Sequence, residues 1–393
     1  MLVGEAVAAV RGVYRGAGGS SSERSFLAVR RREKGKVSLV KVLSVVGARP
    51  QFVKLAPVAH ALRETDHEHV IVHTGQHYDS RLSDVFFADL KIPEPDVNLG
   101  VGSGSHGVQT GAILSAMDPV LEEHRPDWVL VYGDTNSTLA GALSAVKMHL
   151  PVAHLEAGLR SRNRRMPEEH NRVLTDHAAD LLLAPTRLAM DNLAAEGLAE
   201  RSVLVGDVMT DVLYAVRDAV AAQPPRLPDG VDADGPFLVC TIHRAENTDD
   251  ADRLAAIVTA LAGLPMPVVL LAHPRLVARA RDFGIELARG AIHPAQPLPY
   301  PEMVATVLRS RGVVTDSGGL QKEAFLLGVP CTTLRTETEW PETLEGGWNV
   351  LAPDLVGLAE IVNRPRPEPL DTAPYGDGTA ARAVVAALER HAR

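Results

Sequence analysis

Three carboxylates lie at the ends of apolar runs or at the start of a helical stretch in the first half of the chain. Asp134 and Glu156 each follow a short apolar run, and Glu168 opens a helical stretch. Each one alone is as readily a helix cap or an ion-pair partner. As a set they suit proton transfer, in which a base takes a proton from one face of a carbon and an acid returns one to the other.

The second half carries a histidine and a glycine-rich loop suited to a phosphate. His243 lies just after an apolar run, where it can hold or protonate a leaving phosphate or serve as a structural histidine. In Ser317-Gly318-Gly319 the glycines let the backbone approach a phosphate at a helix N-terminus. Ser317 adds a hydroxyl, although a plain helix cap is the alternative. Glu323, one turn further, can accept both hydroxyls of a ribose.

The first half has a segment comparable to this loop. It follows an apolar run, turns at Gly47 and continues into a helix that begins near Pro50. Arg49 precedes this helix and Lys54 lies one turn inside it. Arginine binds phosphate through a bidentate fork and lysine as a point charge, so both can meet an anion. A solvated helix start is the alternative. No G-x-G-x-x-G follows the first apolar run, so a dinucleotide redox cofactor is not expected.

The elements that position these residues alternate between apolar runs and helical stretches. The runs in the first half are residues 41–46, 69–73, 128–132 and 152–155, and those in the second half are residues 237–241, 268–272 and 312–315. Such alternation predicts an α/β fold of two doubly wound, Rossmann-like domains. We place these domains at residues 37–206 and 207–370. Residues 1–36 are predicted to be a disordered extension, and residues 371–393 a helix that packs back on the first domain.

Length and composition fit a two-domain protein of the cytoplasm. The 393 residues exceed the size at which single cores stop growing, and no apolar run reaches the roughly 20 residues of a membrane helix. A formal net charge of −9 disfavours a nucleic-acid partner. Cys240 and Cys331 lie among apolar residues, which predicts buried thiols and no metal site.

Taken together, these segments resemble the UDP-N-acetylglucosamine 2-epimerase family from about residue 41 to about residue 378. The motifs that carry the resemblance occur in family order: Gly47-x-Arg49-Pro50, Gly133-Asp134-Thr135, His154-x-Glu156-Ala157-Gly158-Leu159-Arg160, Pro167-Glu168-Glu169, His243-Arg244, Asp316-Ser317-Gly318-Gly319 and Glu323.

The resemblance implies a glycosyltransferase type B-like fold, with an active site in the cleft between the domains and a homodimeric assembly. It implies a UDP-sugar substrate, bound mainly by the second domain, and neither a metal nor another cofactor. In the family reaction, UDP is eliminated to give 2-acetamidoglucal and is then added back with the proton on the opposite face. The catalytic residues implied are Asp134, Glu156, Glu168 and His243. The substrate contacts implied are Arg49, Lys54, Arg172, His273, Ser317, Gly318, Gly319 and Glu323.

Three positions depart from the best-known members of the family. Trp340 stands where they have arginine, Ala245 stands where a second arginine is common, and residues 76–79 differ from a Gln-His-Arg stretch tied to allosteric UDP-sugar binding. The chain thereby also resembles the branch with UDP-2,3-diacetamido-2,3-dideoxyglucuronate 2-epimerases. The alternatives left open are an epimerase of such a modified UDP-sugar, a hydrolysing epimerase, a glycosyltransferase of this architecture and a non-catalytic sugar-nucleotide sensor.

Overall fold

A computed structural model describes residues 39–76 and 92–392 of the chain. The extension predicted for residues 1–36 and the departure at residues 77–79 lie outside this part. The chain divides into two compact units. One unit runs to Ala215 and resumes at Pro374, and the other is Val216–Ala373. The boundaries that we placed at residues 206 and 370 stay a prediction.

The first unit is built on a parallel sheet whose described strands follow the order β3-β2-β1-β4-β5-β6-β7. The strands are Lys41–Val46 (β1), Glu68–His73 (β2), Val97–Asn98 (β3), Trp128–Tyr132 (β4), Val152–Leu155 (β5), Leu181–Ala184 (β6) and Ser202–Leu204 (β7). The helices are Arg49–Arg63 (α1), His106–His124 (α2), Asn136–Lys147 (α3), Pro167–Ala178 (α4), Arg187–Ala195 (α5) and Val208–Val220 (α6), with a 3₁₀ turn at Ala199–Arg201. Every residue of β4 is buried, as expected for a strand covered on both faces.

The second unit repeats this plan, with a parallel sheet in the order β10-β9-β8-β11-β12-β13. The strands are Leu238–Thr241 (β8), Val268–Leu271 (β9), Ile292–Ala295 (β10), Gly312–Thr315 (β11), Cys331–Thr333 (β12) and Asn349–Leu351 (β13). The helices are Ala245–Thr248 (α7), Ala251–Ala262 (α8), Pro274–Asp282 (α9), Tyr300–Arg309 (α10), Gly318–Leu326 (α11) and Leu358–Val362 (α12), with a 3₁₀ stretch at Pro341–Gly347. The two parallel sheets confirm the predicted fold class.

The C-terminal helix Ala380–His391 (α13) belongs to the first unit and packs on α1. The indole N–H of Trp128 donates to the Leu388 carbonyl at 3.0 Å. The Asp211 carboxylate accepts from the backbone N–H groups of Ala380 and Ala381 at 3.0 and 2.8 Å. Because helix N-termini leave such donors without intrahelical partners, Asp211 fixes the start of α13.

Both sheets reverse their strand order at one point, between β1 and β4 in the first unit and between β8 and β11 in the second. In open α/β sheets, ligands bind outside the carboxyl ends of the strands at such a switch point. Asp134 follows β4, and Asp316 follows β11. The topology therefore places the segment with Asp134 at the switch point of the first sheet and the segment with Asp316 at the switch point of the second.

The two cysteines of the chain are core residues of the second unit. Cys240 and Cys331 are fully buried, and burial raises the pKa of both thiols. Such thiols fill space and are poor nucleophiles.

Within residues 39–76 and 92–392, no helix combines the length and apolar character that a membrane crossing requires.

Candidate active site

Asp134 lies in a tight turn between β4 and α3. Gly133 makes the turn possible with a left-handed φ of 63°, and Thr135 caps α3 by accepting from the backbone N–H of Thr138 at 3.3 Å. The Asp134 Oδ2 accepts from Arg172 Nη2 at 2.6 Å, yet 32% of its side chain stays exposed. Asp134 is therefore oriented by an arginine and still accessible to a ligand.

Glu156 lies beside the Asp134 turn and forms an ion pair with Lys54 of α1. A methyl group added at Gly133 would lie 3.2 Å from Glu156 Oε2 and 3.3 Å from Lys54 Nζ, so a larger residue would crowd this pair. Burial acts to lower the pKa of Lys54, but the nearby carboxylates of Glu156 and Asp134 raise it above its ordinary value. The structure thus brings two predicted catalytic carboxylates and a predicted phosphate ligand together.

Arg172 lies four residues after Glu168 on α4, a spacing that suits an ordinary ion pair, but the structure does not show that pair. It donates instead to Asp134 and, at 3.2 Å, to Glu169 Oε2. Arg172 Nε is buried and has no hydrogen-bond partner among the described residues. The predicted ligand contact is therefore, in this structure, the group that orients Asp134.

Glu168 and Glu169 differ in their surroundings although they are neighbours on α4. Glu169 is buried and accepts from the backbone N–H groups of Ser161 and Arg162 at 2.9 and 2.8 Å. Burial acts to raise the pKa of Glu169, but these donors bring it below the ordinary value. Glu168 is half-buried, and its carboxylate makes no hydrogen bond or ion pair within the described part of the chain. Glu169 holds a loop, whereas Glu168 is available to a ligand.

A buried charge network, which the sequence did not reveal, lies behind these carboxylates. The His154 ring is fully buried, with Nδ1 2.6 Å from Asp176 Oδ1 and Nε2 2.7 Å from the Gly133 carbonyl oxygen. Because a carboxylate and a carbonyl both accept, the ring donates from both nitrogens and carries a positive charge. Arg160 adds a second cation 2.7 Å from Asp176 Oδ2.

This network ties together the turns that carry the catalytic candidates. His154 holds the carbonyl of Gly133, directly before Asp134, and Asp176 accepts from the Gly158 N–H at 3.0 Å, two residues after Glu156. Burial acts to raise the pKa of Asp176, but His154 and Arg160 hold it below its usual range. Strand alternation does not relate Glu156 to His154, because β5 ends at Leu155 and Glu156 has a left-handed φ of 72°.

In the second unit, Asp316 organises the loop that follows β8. Its fully buried carboxylate accepts from the backbone N–H groups of His243 at 3.1 Å and Arg244 at 2.9 Å, and from Asn247 Nδ2 at 3.1 Å. Asp316 is the first residue of the Asp316-Ser317-Gly318-Gly319 motif, and its role could not be predicted from the sequence. Its role here is to fix the position of His243.

His243 and His273 face each other with ring centroids 5.9 Å apart. Burial lowers the pKa of His243, and Arg244 lowers it further against the opposing effect of Asp316. His273 caps α9 by accepting from the Arg275 N–H at 3.2 Å, and burial together with His243 lowers its pKa. Both imidazoles are therefore neutral near pH 7, able to donate one N–H each.

The glycine-rich loop starts α11 at the end of β11. Ser317 caps this helix by accepting from the Leu320 N–H at 3.4 Å, which is the plain role the sequence offered as the alternative. Gly318 and Gly319 are the first residues of the helix, where backbone N–H groups lack intrahelical partners. This end of α11 thus presents donors and partial positive charge to an anion.

Glu323 lies one turn along α11 with one carboxylate oxygen available. Its Oε1 accepts from the Tyr300 hydroxyl at 3.1 Å, whereas its buried Oε2 has no hydrogen-bond partner among the described residues. Burial raises the pKa of Glu323 to about 7, against the opposing effects of Tyr300 and Lys322. An unsatisfied buried acceptor of this kind suits a ligand hydroxyl.

We expect Glu323 to make the free protein less stable as the pH rises. Its pKa lies near 7 when folded against an ordinary 4.5, so between these values the folded chain holds a proton that the unfolded chain has lost. The free energy of unfolding should fall over that range by up to about 3 kcal/mol. In urea unfolding, Glu323→Gln should match the wild type near about pH 4 and exceed it near about pH 8. An equal difference at both pH values, or the same gain from the exposed control Glu286→Gln, would contradict this expectation.

Arg49, the remaining predicted contact, is the first residue of α1. The prediction for its side chain lies outside the described part of the structure. The site residues thus form two groups, one in each unit. The first contains Asp134, Glu156, Lys54, Arg172 and Glu168, and the second contains His243, His273, Ser317, Gly318, Gly319 and Glu323.

Comparisons with known proteins identify the family of the chain. Residues 60–389 match the family described as UDP-N-acetylglucosamine 2-epimerase. UDP-2,3-diacetamido-2,3-dideoxy-D-glucuronate 2-epimerase of Pseudomonas aeruginosa is 45% identical over 362 residues, covering 89% of this chain and 100% of the relative.

Solved structures give the same result at the level of the fold. The UDP-GlcNAc 2-epimerase of Methanocaldococcus jannaschii superposes with a TM-score of 0.75 at 36% identity, covering 89% of this chain and 99% of that chain. The same enzyme in complex with UDP-GlcNAc and UDP gives a TM-score of 0.68 at 37% identity, covering 90% and 99%. The match to the family model spans more than half of the chain, and the identity to the relatives holds over nearly their whole length. This chain belongs to the UDP-N-acetylglucosamine 2-epimerase family.

Proposed function

We propose that this protein interconverts UDP-N-acetylglucosamine and UDP-N-acetylmannosamine without releasing the free sugar. A base removes the proton from carbon 2, the bond from carbon 1 to the UDP oxygen breaks, and a double bond forms between these carbons. UDP then adds back to carbon 1 of the bound 2-acetamidoglucal while carbon 2 takes a proton on the opposite face. The observation that carries the proposal is the pair of carboxylates beside Gly133, each oriented by a cation.

The proton steps are assigned to the first unit. Arg172 and Lys54 orient Asp134 and Glu156, and such fixed geometry lowers the cost of reaching a transition state. Glu168 has no hydrogen-bond or ion-pair partner among the described residues and supplies a third carboxyl group to the same chemistry. Inversion needs a proton taken from one face and given to the other, so at least two of these three groups must act.

Binding of the UDP moiety is assigned to the second unit. The N-terminus of α11 would receive the diphosphate through the N–H groups of Gly318 and Gly319. The available oxygen of Glu323 would accept from a ribose hydroxyl. His243, held by Asp316, would donate its N–H to the phosphate oxygen on which charge develops as the bond to carbon 1 breaks.

A second candidate substrate is a UDP-sugar with a 3-acetamido group and a carboxylate at carbon 6. The Pseudomonas aeruginosa relative is named for such a sugar and is 45% identical to this chain. Trp340 also carries the Lys322 ammonium 4.1 Å from its ring centroid, a cation–π contact. This contact sits where the best-known family members place an arginine, so the groups around the sugar differ here.

Product analysis distinguishes the candidates. Purified protein is incubated separately with UDP-N-acetylglucosamine and with the diacetamido-glucuronate analogue, and the anomeric proton signals are followed by NMR. The proposal expects the manno isomer from UDP-N-acetylglucosamine. Free N-acetylmannosamine with UDP would indicate a hydrolysing enzyme, and reaction of the analogue alone would establish the second candidate. No reaction with either sugar, but binding of UDP, would indicate a sensor or a glycosyltransferase.

We also propose an oligomeric state and a cellular location for this protein. We expect a homodimer that works in the cytoplasm, where UDP-sugars are made. Light scattering coupled to size-exclusion chromatography would give twice the 42.0 kDa chain mass for a dimer. A mass of one chain at all concentrations would contradict the dimer.

A further inference from the structure

A carboxylate of the chain itself lies at the N-terminus of α11. A methyl group added at Gly318 would come within 3.1 Å of Glu339 Oε2. Glu339 follows β12 in the loop before the 3₁₀ stretch Pro341–Gly347. Its oxygen therefore lies within a few ångströms of the helix end to which the diphosphate is assigned above.

Two arginines hold this carboxylate. Arg335 makes a bidentate contact, with Nη1 2.7 Å from Oε2 and Nη2 2.9 Å from Oε1 of Glu339. Arg244 Nη2 lies 3.5 Å from Glu339 Oε1, and its Nε donates to the Asp316 carbonyl at 3.3 Å. A guanidinium fork and a helix N-terminus are the groups with which proteins bind phosphate. Glu339 thus occupies the place of an anion among groups suited to a phosphate.

The exposure of the three side chains indicates which of them can move. Arg335 is nearly buried, with 14% of its side chain exposed, whereas 47% of the Glu339 side chain is exposed. Arg244 is anchored on the loop that Asp316 fixes. Displacing a half-exposed carboxylate costs less than displacing a buried one, because water can solvate it and the incoming diphosphate gives Arg335 a new anion.

We propose that Glu339 is an internal anion that occupies the diphosphate position in the free protein, and that Arg335 and Arg244 pass from it to the diphosphate when UDP binds. Arg335 is thereby a further substrate-binding residue. The inference rests on the proposed function, in that the end of α11 receives UDP. A carboxylate beside a bound diphosphate repels it, so Glu339 also weakens the binding of UDP.

The alternative is that Glu339 only forms an i,i+4 ion pair with Arg335 and has no influence on the ligand. The two possibilities differ in how the effect of a substitution depends on ligand charge. Loss of a competing anion strengthens binding in proportion to the phosphate charge. Loss of a structural ion pair changes the binding of every ligand alike, or of none.

The experiment is isothermal titration of the full chain with uridine, UMP and UDP at low ionic strength. Glu339→Gln is expected to tighten UDP binding about fivefold, to tighten UMP binding less, and to leave uridine binding unchanged. Arg335→Gln is expected to weaken UDP binding about tenfold or more and to leave uridine binding unchanged. Glu286→Gln removes the same charge from an exposed residue elsewhere in the second unit and should change none of the three affinities by more than about twofold.

Several outcomes would overturn the inference. Weaker UDP binding in Glu339→Gln, or equal changes for uridine and UDP, would give Glu339 a structural role. If Arg335→Gln unfolds at the same temperature as the wild type and binds UDP with unchanged affinity, Arg335 is not part of the binding site. Failure of the wild type to bind UDP at all would contradict the proposed function itself, and the wild-type titration shows this before any variant is compared.

Discussion

Replacing Asp134 with asparagine is expected to slow hydrogen exchange at carbon 2 of the UDP-sugar by about 10² to 10⁴-fold, the range that a general base or acid contributes. Asparagine retains an oxygen that can accept from Arg172, so the local geometry should persist. The amide cannot take a proton at neutral pH, so the chemical step should fail. UDP binding should change by less than about twofold, because the proposal assigns UDP binding mainly to the second unit.

The control for this variant is Asp191→Asn, which removes an exposed carboxylate from α5 of the same unit. Exchange is followed by proton NMR in deuterated water, and UDP binding by calorimetry. Retained exchange in Asp134→Asn would exclude Asp134 as an acid or base and leave Glu156 and Glu168 as the candidates. Loss of UDP binding together with exchange would mean that the substitution had disturbed more than proton transfer.

Replacing Asp176 with asparagine is expected to destabilise the first unit by about 3 to 5 kcal/mol, as removal of one partner from a buried ion pair does. Asp176 and His154 are fully buried, and Arg160 is 5% exposed. Without the carboxylate, two cations stay in the interior, or the imidazole gives up its Nδ1 proton and keeps only the Nε2–H that donates to the Gly133 carbonyl. Urea unfolding near pH 7 measures the loss.

The pH dependence of this variant gives a second check. The pKa of Asp176 is lowered in the folded chain, so its stabilising effect is present above the ordinary value near 3.8 and is lost as the pH falls through the folded value. Wild type and Asp176→Asn should therefore converge in strong acid. Asp218→Asn removes a 69% exposed partner of Arg217 and should cost less than about 1 kcal/mol. A loss of less than about 1 kcal/mol for Asp176→Asn would contradict the proposal that the buried charge network stabilises the first unit.

Much of the fold could be predicted from the sequence because apolar runs that contain β-branched residues and are bounded by turns mark the central strands. The runs at 128–132 and 152–155 coincide with β4 and β5, and the run at 312–315 with β11. The strands that were not predicted are short or lie towards the sheet edges. Leu181–Ala184 has four residues without β-branching, and Val97–Asn98 has only two. Hydrophobic periodicity does not distinguish such short buried strands from helix or loop.

Only those residues of the candidate site that directly follow a strand could be placed from the sequence. Asp134 and Glu156 follow apolar runs, so their place at the edge of a sheet is predictable from the pattern. Their partners are not, because Lys54 lies 102 residues before Glu156 and Arg172 lies 38 residues after Asp134. Helical spacing pointed from Arg172 to Glu168, yet Arg172 turns to Glu169 and Asp134. Tertiary contacts of this kind decide which carboxylate is oriented for chemistry and which one holds a loop.

The reaction proposed for this chain breaks the bond between carbon 2 of the sugar and its hydrogen. The most direct test is proton NMR of the wild-type protein with UDP-N-acetylglucosamine in deuterated water. Deuterium is expected to replace the carbon 2 proton in both the recovered substrate and the UDP-N-acetylmannosamine formed. Formation of UDP-N-acetylmannosamine with the original proton still on carbon 2 would contradict it, because the carboxylates of the first unit would then have no proton to exchange with solvent.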